Sequence, residues 1–330
     1  MRQYILRRLL ISILVLFLVA LIVYVIMRCL PTGYVETIAR KRAETPGSTR
    51  TYREWLDQLR AVYGMDDNII IGFFKWLWNA IRGNFGDSWL FGVPVTQMFA
   101  AVIIDTVWLI GTATAFEWLI GIPLGMLAAH KQYSKTDYAV TVFALVGISL
   151  PTFFLGTLLK LFLSVKLGWF DLYGKVGRYY LSLTPLQQIA DVAAHYTLPV
   201  ITLVIASIGA IMRYTRTNML EVLSADYIRT ARAKGLPETR VITRHAFRNT
   251  LIPVVTMIGG LLPALFSGAL ITEEIFRIPG IGYTFYQAVV AGDIPFSMFF
   301  LIFVAAMTLI GTLLADILYA VVDPRVRIST

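Results

Sequence analysis

Six apolar runs, each near the length of a bilayer crossing, set the plan of this chain. They occupy residues 9–27, 106–129, 138–159, 192–212, 250–272 and 296–319. A helix rising 1.5 Å per residue needs about 20 apolar residues to cross a hydrocarbon core of ~30 Å. The pattern therefore predicts an all-α polytopic membrane protein with six transmembrane helices. The first run follows Arg2, Arg7 and Arg8 and carries no charge. It is longer than a signal-peptide core and lacks a small-residue cleavage site, so it reads as an uncleaved span. The expected organisation is a first helix within 1–30, a small lobe outside the membrane over 31–98, and a core over 99–330.

Within the lobe, Trp55, Leu59 and Val62 recur at helical spacing across 51–62. Residues 69–81 form a second apolar piece, interrupted by Lys75 and too short to span easily. Its Trp76 and Trp78 suit a membrane–water interface. Gly83-Asn84-Phe85-Gly86 reads as a turn.

Polar groups inside the apolar runs come next. Glu117 falls near the middle of the second, where a carboxylate costs roughly 2.5–3.5 kcal/mol. It should face neighbouring helices or a wet cavity, as a hydrogen-bonded structural group or as part of a pathway. Asp105 lies at that run's outer edge. Ser149, Pro151 and Thr152 interrupt the third run, where proline is expected to kink the helix and free a carbonyl. With Glu117 they are the candidate pathway residues. His195 near the outer end of the fourth run reads as a hydrogen-bonded structural histidine. The fifth carries Pro253, Gly259, Gly260, Pro263 and Gly268 and is expected to end at Glu273-Glu274. An outer loop is expected over 275–295, and Asp316 lies near the inner end of the sixth run.

The longest polar interval after the lobe separates the fourth and fifth runs. It reads as two short helices and a turn within a loop over 219–249. Ser224 is placed to cap the first, Asp226 lies in its early turn, and Arg232 and Lys234 lie near its end, an order that suits the helix dipole. Gly235 stands where a left-handed residue would stop the helix, and Pro237 opens the next. Tyr227, Ile228 and Ala231 share a face. The interval is either a solvated basic loop or a stiff knob at the membrane surface.

Composition narrows the class. The chain has 330 residues, 57% of them hydrophobic and 15% charged, which excludes an ordinary soluble domain and disorder. The formal charge of +9 does not point to nucleic acid, because the bases flank apolar runs instead of forming one patch. With both termini inside, the inner set is Arg2, Arg7, Arg8, Lys131, Lys135, Arg213, Arg216, Arg229, Arg232, Lys234, Arg240, Arg244, Arg248, Arg325 and Arg327. The short outer loops hold Lys160, Lys166, Lys175, Arg178 and Arg277. Fifteen against five predicts cytoplasmic termini and a cytoplasmic knob. Cys29 is the only cysteine, so no internal disulfide can form. There is no phosphate-binding Gly-x-x-x-x-Gly-Lys loop, no His-Glu-x-x-His and no Gly-x-Ser-x-Gly elbow. The chain thus reads as a non-catalytic membrane protein with a handle but no motor.

Asp226-Tyr227-Ile228-Arg229-Thr230-Ala231-Arg232-Ala233-Lys234-Gly235, followed by Arg248-Asn249-Thr250-Leu251-Ile252-Pro253, resembles the coupling-loop signature of ABC importer permeases. The variant is similar to that of the dipeptide/oligopeptide/nickel group. In the broader pattern Glu-Ala-Ala stands where this chain has Arg229-Thr230-Ala231. Arg7-Arg8-Leu9 with Leu30-Pro31, Gly147 to Phe153, Glu274-Ile275-Phe276 with Pro279 to Gly282, Asp293-Ile294-Pro295, and Asp316 with Asp323-Pro324-Arg325 resemble its B-type subunit. Asn68 stands where that pattern has proline.

The resemblance implies a type I importer permease fold in a prokaryotic cell membrane. It implies four kinds of partner: a homologous C-type permease, two cytoplasmic ATPases that bind ATP and Mg, an external substrate-binding protein, and surrounding lipid. No cofactor is implied for this chain and no nucleic acid. Peptides are the implied cargo, with nickel, glutathione or oligosaccharide as alternatives. An ion-gradient-driven transporter using Glu117 is the alternative of a different class. An intramembrane enzyme lacks the needed constellation.

Overall fold

The computed structural model describes residues 2–29, 33–44, 50–62, 68–250 and 257–322. Leu30-Pro31, 251–253 and 323–327 lie outside them. Among the described residues, five helices are long and apolar enough to cross a membrane, or six if one sharply bent pair counts as a span. The protein is an all-α polytopic membrane protein, as the six apolar runs require. The chain divides into two compact units, residues 1–103 with 284–309 and residues 104–283 with 310–330.

The first unit opens with α1 (Arg2–Cys29), an apolar helix with no strong sidedness. The lobe contains α2 (Gly33–Glu44), which the apolar pattern does not reveal, and α3 (Tyr52–Val62). Val35, Ala39 and Leu59 are buried between them, with Tyr52 and Trp55 at the edge. α4 (Ile69–Ile81) matches the expected apolar piece end to end. Asn68, the departure from proline, caps it by accepting a hydrogen bond from the Ile70 amide at 2.9 Å. Phe73 of α4 is buried edge-on against Phe17 and Tyr24 of α1, with centroids 5.6 Å away in each case. Asp293 is fully buried and accepts from Ser88 Oγ and from the Leu90 and Phe296 amides. It ties residues 88–90 to the start of the last helix.

Two helices that enter the second unit outrun a bilayer. α5 (Val95–His130) and α8 (Pro185–Ser224) have 36 and 40 residues, or about 54 and 60 Å. α5 begins eleven residues before the expected span. α8 runs twelve residues past it, so Arg213, Arg216 and the first six residues of the expected 219–249 loop belong to the helix. Small residues let neighbours close on α8. A side chain at Gly147 of α6 (Lys135–Ser149) would strike the Ile205 carbonyl, and one at Gly209 would strike Ala144. As residue numbers rise along α6 their α8 partners fall, so the two helices run antiparallel.

The third expected span is not one kinked helix. α6 ends at Ser149, Leu150 and Pro151 are extended, and α7 (Thr152–Leu159) departs at 102° before winding into a π-helical stretch, Lys160–Lys166. Proline at the N-cap ends one helix and starts another, as its geometry favours. The fifth run is also divided. α11 (Ile258–Ser267) stops at Gly268, and α12 (Leu270–Phe276) follows. α9 (Asp226–Ala233) and α10 (Glu238–Arg240) lie between α8 and α11. The expected outer loop over 275–295 contains an 11-residue helix, α13 (Ile281–Ala291), and α14 (Ile294–Val322) closes the described chain.

Candidate functional site

The polar interval begins where α8 stops. Ala225 is extended and serves as the N-cap of α9 without a side-chain bond. Ser224 does not cap α9; its Oγ donates to the Glu221 carbonyl of α8 at 2.7 Å. The sequence misplaces this cap because α8 extends to Ser224, which leaves Ala225 in the cap position. Asp226 holds the first turn and Arg232 the last. Thr230 Oγ1 donates back to the Asp226 carbonyl at 3.0 Å. Lys234 is the C-cap, and Gly235 follows at φ +72°. A Cβ at Gly235 would meet nothing within 4 Å. Backbone conformation, not space, is what asks for glycine there.

Ile228 and Ala231 anchor this short helix. Both are buried, with Ala129 at the end of α5, Met219 of α8, and Val241 and Ala246 beyond α10. Leu236, just past the turn, packs against the same cluster. Burying Ile228 contributes about 1.5–3 kcal/mol, ample to seat eight residues that would not hold a helix alone. Tyr227 departs from the expected shared face and is 46% exposed. Asp226, Arg229, Thr230, Arg232, Ala233, Lys234 and Gly235 are exposed with it.

The return segment of the knob is stapled to the outgoing one. Arg232 donates to Glu238 through Nε at 3.1 Å and Nη2 at 2.7 Å. The guanidinium holds the Glu238 carboxyl below the usual carboxylate range. At this half-exposed site the pair contributes at most about 1 kcal/mol. Beyond α10 the chain stays helical to residue 250 through a π-helical stretch, Val241–Ala246. Thr250 is buried and donates to the Ala246 carbonyl at 3.0 Å and to Met219 Sδ at 3.2 Å. The base beneath is braced by Arg216 of α8, whose Nε and Nη2 donate to Asp137 of α6 at 2.7 and 2.8 Å.

The candidate pathway residues lie on α5, at the end of α6 and at the start of α7. Ser149, Pro151 and Thr152 mark the 102° break. Glu117 is half-buried on α5, on the side near Ser207 of α8, whose Oγ donates to the Leu203 carbonyl at 2.8 Å. Among the described residues no hydrogen bond joins Glu117 to the break.

Sequence reasoning missed a buried polar centre. Glu273, expected to end a span, lies inside α12 and is fully buried. Its Oε1 accepts from Thr106 Oγ1 at 2.8 Å and the Ala269 amide at 3.1 Å; its Oε2 accepts from the Tyr283 amide at 2.8 Å. Thr106 Oγ1 in turn accepts from the Ile281 amide at 2.7 Å. Nearby, Asp105 accepts from the Tyr196 hydroxyl at 3.0 Å and pairs with Lys175. His195 Nδ1 lies 2.8 Å from the Asp191 carbonyl and Nε2 lies 3.2 Å from Asp171, which fits the structural reading of that histidine. The partners of Glu273 and Asp105 reach up to 167 residues along the chain, and no local pattern could have signalled them.

Residues 121–328 match the sequence profile of a family described as "Binding-protein-dependent transport system inner membrane component". That stretch includes α9, the 102° break and Glu273. The chain is 38% identical over 328 residues to the oligopeptide transport system permease protein AppB of Bacillus subtilis, covering 99% of this chain and all of that protein. It is 36% identical over 327 residues to a Brucella abortus protein described as a peptide transport system permease, covering 99% of each. A Sinorhizobium fredii protein described as a peptide ABC transporter permease is 32% identical over 327 residues, with 99% of this chain and all of that protein covered.

Proposed function

This chain belongs to the family of binding-protein-dependent transport system inner membrane components, and from that premise we propose that it is one permease half of an ATP-driven importer of peptides. Residues 226–235 are the handle that a partner ATPase grips. A homologous permease completes the channel, a second ATPase serves that half, and an external binding protein delivers cargo. The peptide assignment draws on the names of the relatives. Basic residues on the short loops support placing the handle and both termini in the cytoplasm.

The observation that carries the handle assignment is the two-faced build of α9. Ile228 and Ala231 fix it to the ends of α5 and α8, while its other face stays free for a partner. A force on that exposed face passes through packed side chains into two long helices instead of being absorbed by a flexible loop. Closure of the ATPases would then move helical bundles as rigid bodies, the usual way such folds alternate access.

The test is Gly235→Val in the complex reconstituted with its partner subunits. A β-branched residue at φ +72° is strained by about 1–2 kcal/mol, so the turn must shift. Assembly and ATP hydrolysis are expected to persist while peptide import falls at least about tenfold. Normal import by an assembled variant would remove residues 226–235 from the coupling role.

A further inference from the structure

Among the described residues, Lys160 is a buried cation with no anion beside it. It opens the π-helical stretch after α7 and is 8% exposed. Its Nζ donates to the Ile275 carbonyl at 2.6 Å. The ammonium also lies 3.5 Å from the centroid of the Tyr173 ring and 5.6 Å from that of Phe276. A second cation shares the same ring, for the Arg277 guanidinium lies 5.1 Å from the Tyr173 centroid. Arg277 is exposed and held at φ 51°, a left-handed conformation that non-glycine residues seldom adopt.

Four carboxylates of the same unit are engaged elsewhere, and Glu274 is exposed. Asp105 pairs with Lys175, Glu273 is turned to Thr106 and backbone amides, and Asp171 and Asp191 face His195. Among the described residues no carboxylate lies within ion-pair distance of Lys160 or Arg277. A carbonyl dipole and ring faces ease the burial of an ammonium but leave its charge in place. Two positive charges against one ring are half of an anion site.

We propose that Lys160, Tyr173 and Arg277 form a subsite for the C-terminal carboxylate of the peptide cargo, an inference that rests on the peptide reading above. Guanidinium presents a planar fork that matches a carboxylate, and the exposed Arg277 makes first contact. Lys160 adds attraction where water is scarce. A linear peptide ends in one carboxylate whatever its sequence, so a fixed pair of cations serves many cargoes. Lys160 is buried at the start of a helical stretch and not at a loop tip, which favours a small ligand over the surface of a docked protein.

The experiment compares import of trialanine and trialanine amide by the reconstituted complex. Wild type and Arg277→Gln share the same binding protein, so a change in the acid-to-amide ratio reports the permease. Because Arg277 is exposed, its replacement leaves the packed interior intact. Import of the free acid is expected to fall about tenfold, the scale of one lost charge-assisted contact, with amide import unchanged. Lys160→Gln is expected to act in the same direction, and Arg277→Lys to restore part of the ratio. An equal fall for acid and amide, or an unmoved ratio, would overturn the subsite. A rise in the binding-protein concentration needed for half-maximal import of both would overturn it too, by assigning the cations to an acidic residue of that protein. If wild type imports neither compound, the peptide reading itself fails.

Discussion

The exposed segment over 226–240, which includes the proposed handle, and the buried turn over 268–283 solve opposite problems with similar residues. Both place a glutamate beside a turn whose glycine has positive φ, Gly235 in one and Gly268 in the other. In the handle, Glu238 is exposed and its partner Arg232 is six residues away. In the buried turn, Glu273 is fully enclosed and one of its partners, Thr106, is 167 residues away. The first takes its ion pair from one short stretch and offers its surface outward. The second combines the nearby Ala269 and Tyr283 amides with one donor from a distant segment, Thr106. An exposed ion pair can be written in one stretch of sequence, whereas a carboxylate enclosed among helices in an apolar medium draws on another segment for a donor.

The sharpest way to break this comparison is Glu273→Ala. It strands the Thr106 hydroxyl and the Ala269 and Tyr283 amides inside the protein, at about 1–3 kcal/mol for each unsatisfied group. Thermal unfolding in detergent should show a larger loss than any single substitution in the handle produces. A mild effect would mean that the turn over 268–283 is held by other contacts.

Ile228→Ala comes second. Deleting a buried isoleucine costs about 2–5 kcal/mol, but the loss falls on α9 and its neighbours. Faster hydrogen exchange should appear in residues 226–246, while the buried turn stays protected. Equal deprotection of both regions would show that the handle is not an independently seated part.

Arg232→Gln is expected to be the smallest change in stability, at most about 1 kcal/mol, yet to lower transport per ATP hydrolysed by loosening the lever. The same pair gives a pH dependence whose sign is fixed. The folded pKa of Glu238 is depressed by Arg232. The pair's contribution is therefore complete above the unfolded value, near 4.3, and is lost as pH falls through the lower folded value. Exchange protection of residues 226–240 should be flat from neutrality to about pH 5 and fall only in acid below about 4. Loss nearer pH 6 would implicate a histidine instead.

Much of this was legible in advance for reasons specific to each element. α4 is bounded correctly because its apolar stretch ends at a polar cap on one side and a Gly-containing turn on the other. Gly235 is read correctly because few residues tolerate positive φ after a helix. The cap at Ser224 fails because hydropathy does not report where a long helix leaves the apolar layer. The hidden helix over Ile281–Ala291 fails because glycine and proline before it imitate a loop. Pro151 signals a disturbance, but proline constrains its own residue and the one before it, not the direction of the chain beyond.

By itself the sequence determined the membrane-spanning class, the number of apolar runs and the helix stop at Gly235, since each depends on composition or on contacts a few residues apart. Only the tertiary structure decided the 102° break, the seating of Ile228 on Met219, the enclosure of Glu273, and the cations beside Tyr173. The physical reason is common to all four. In a bundle whose helices are apolar on most faces, pairing is chosen by shape and by buried polar groups finding distant partners. That choice is made between segments, not within them.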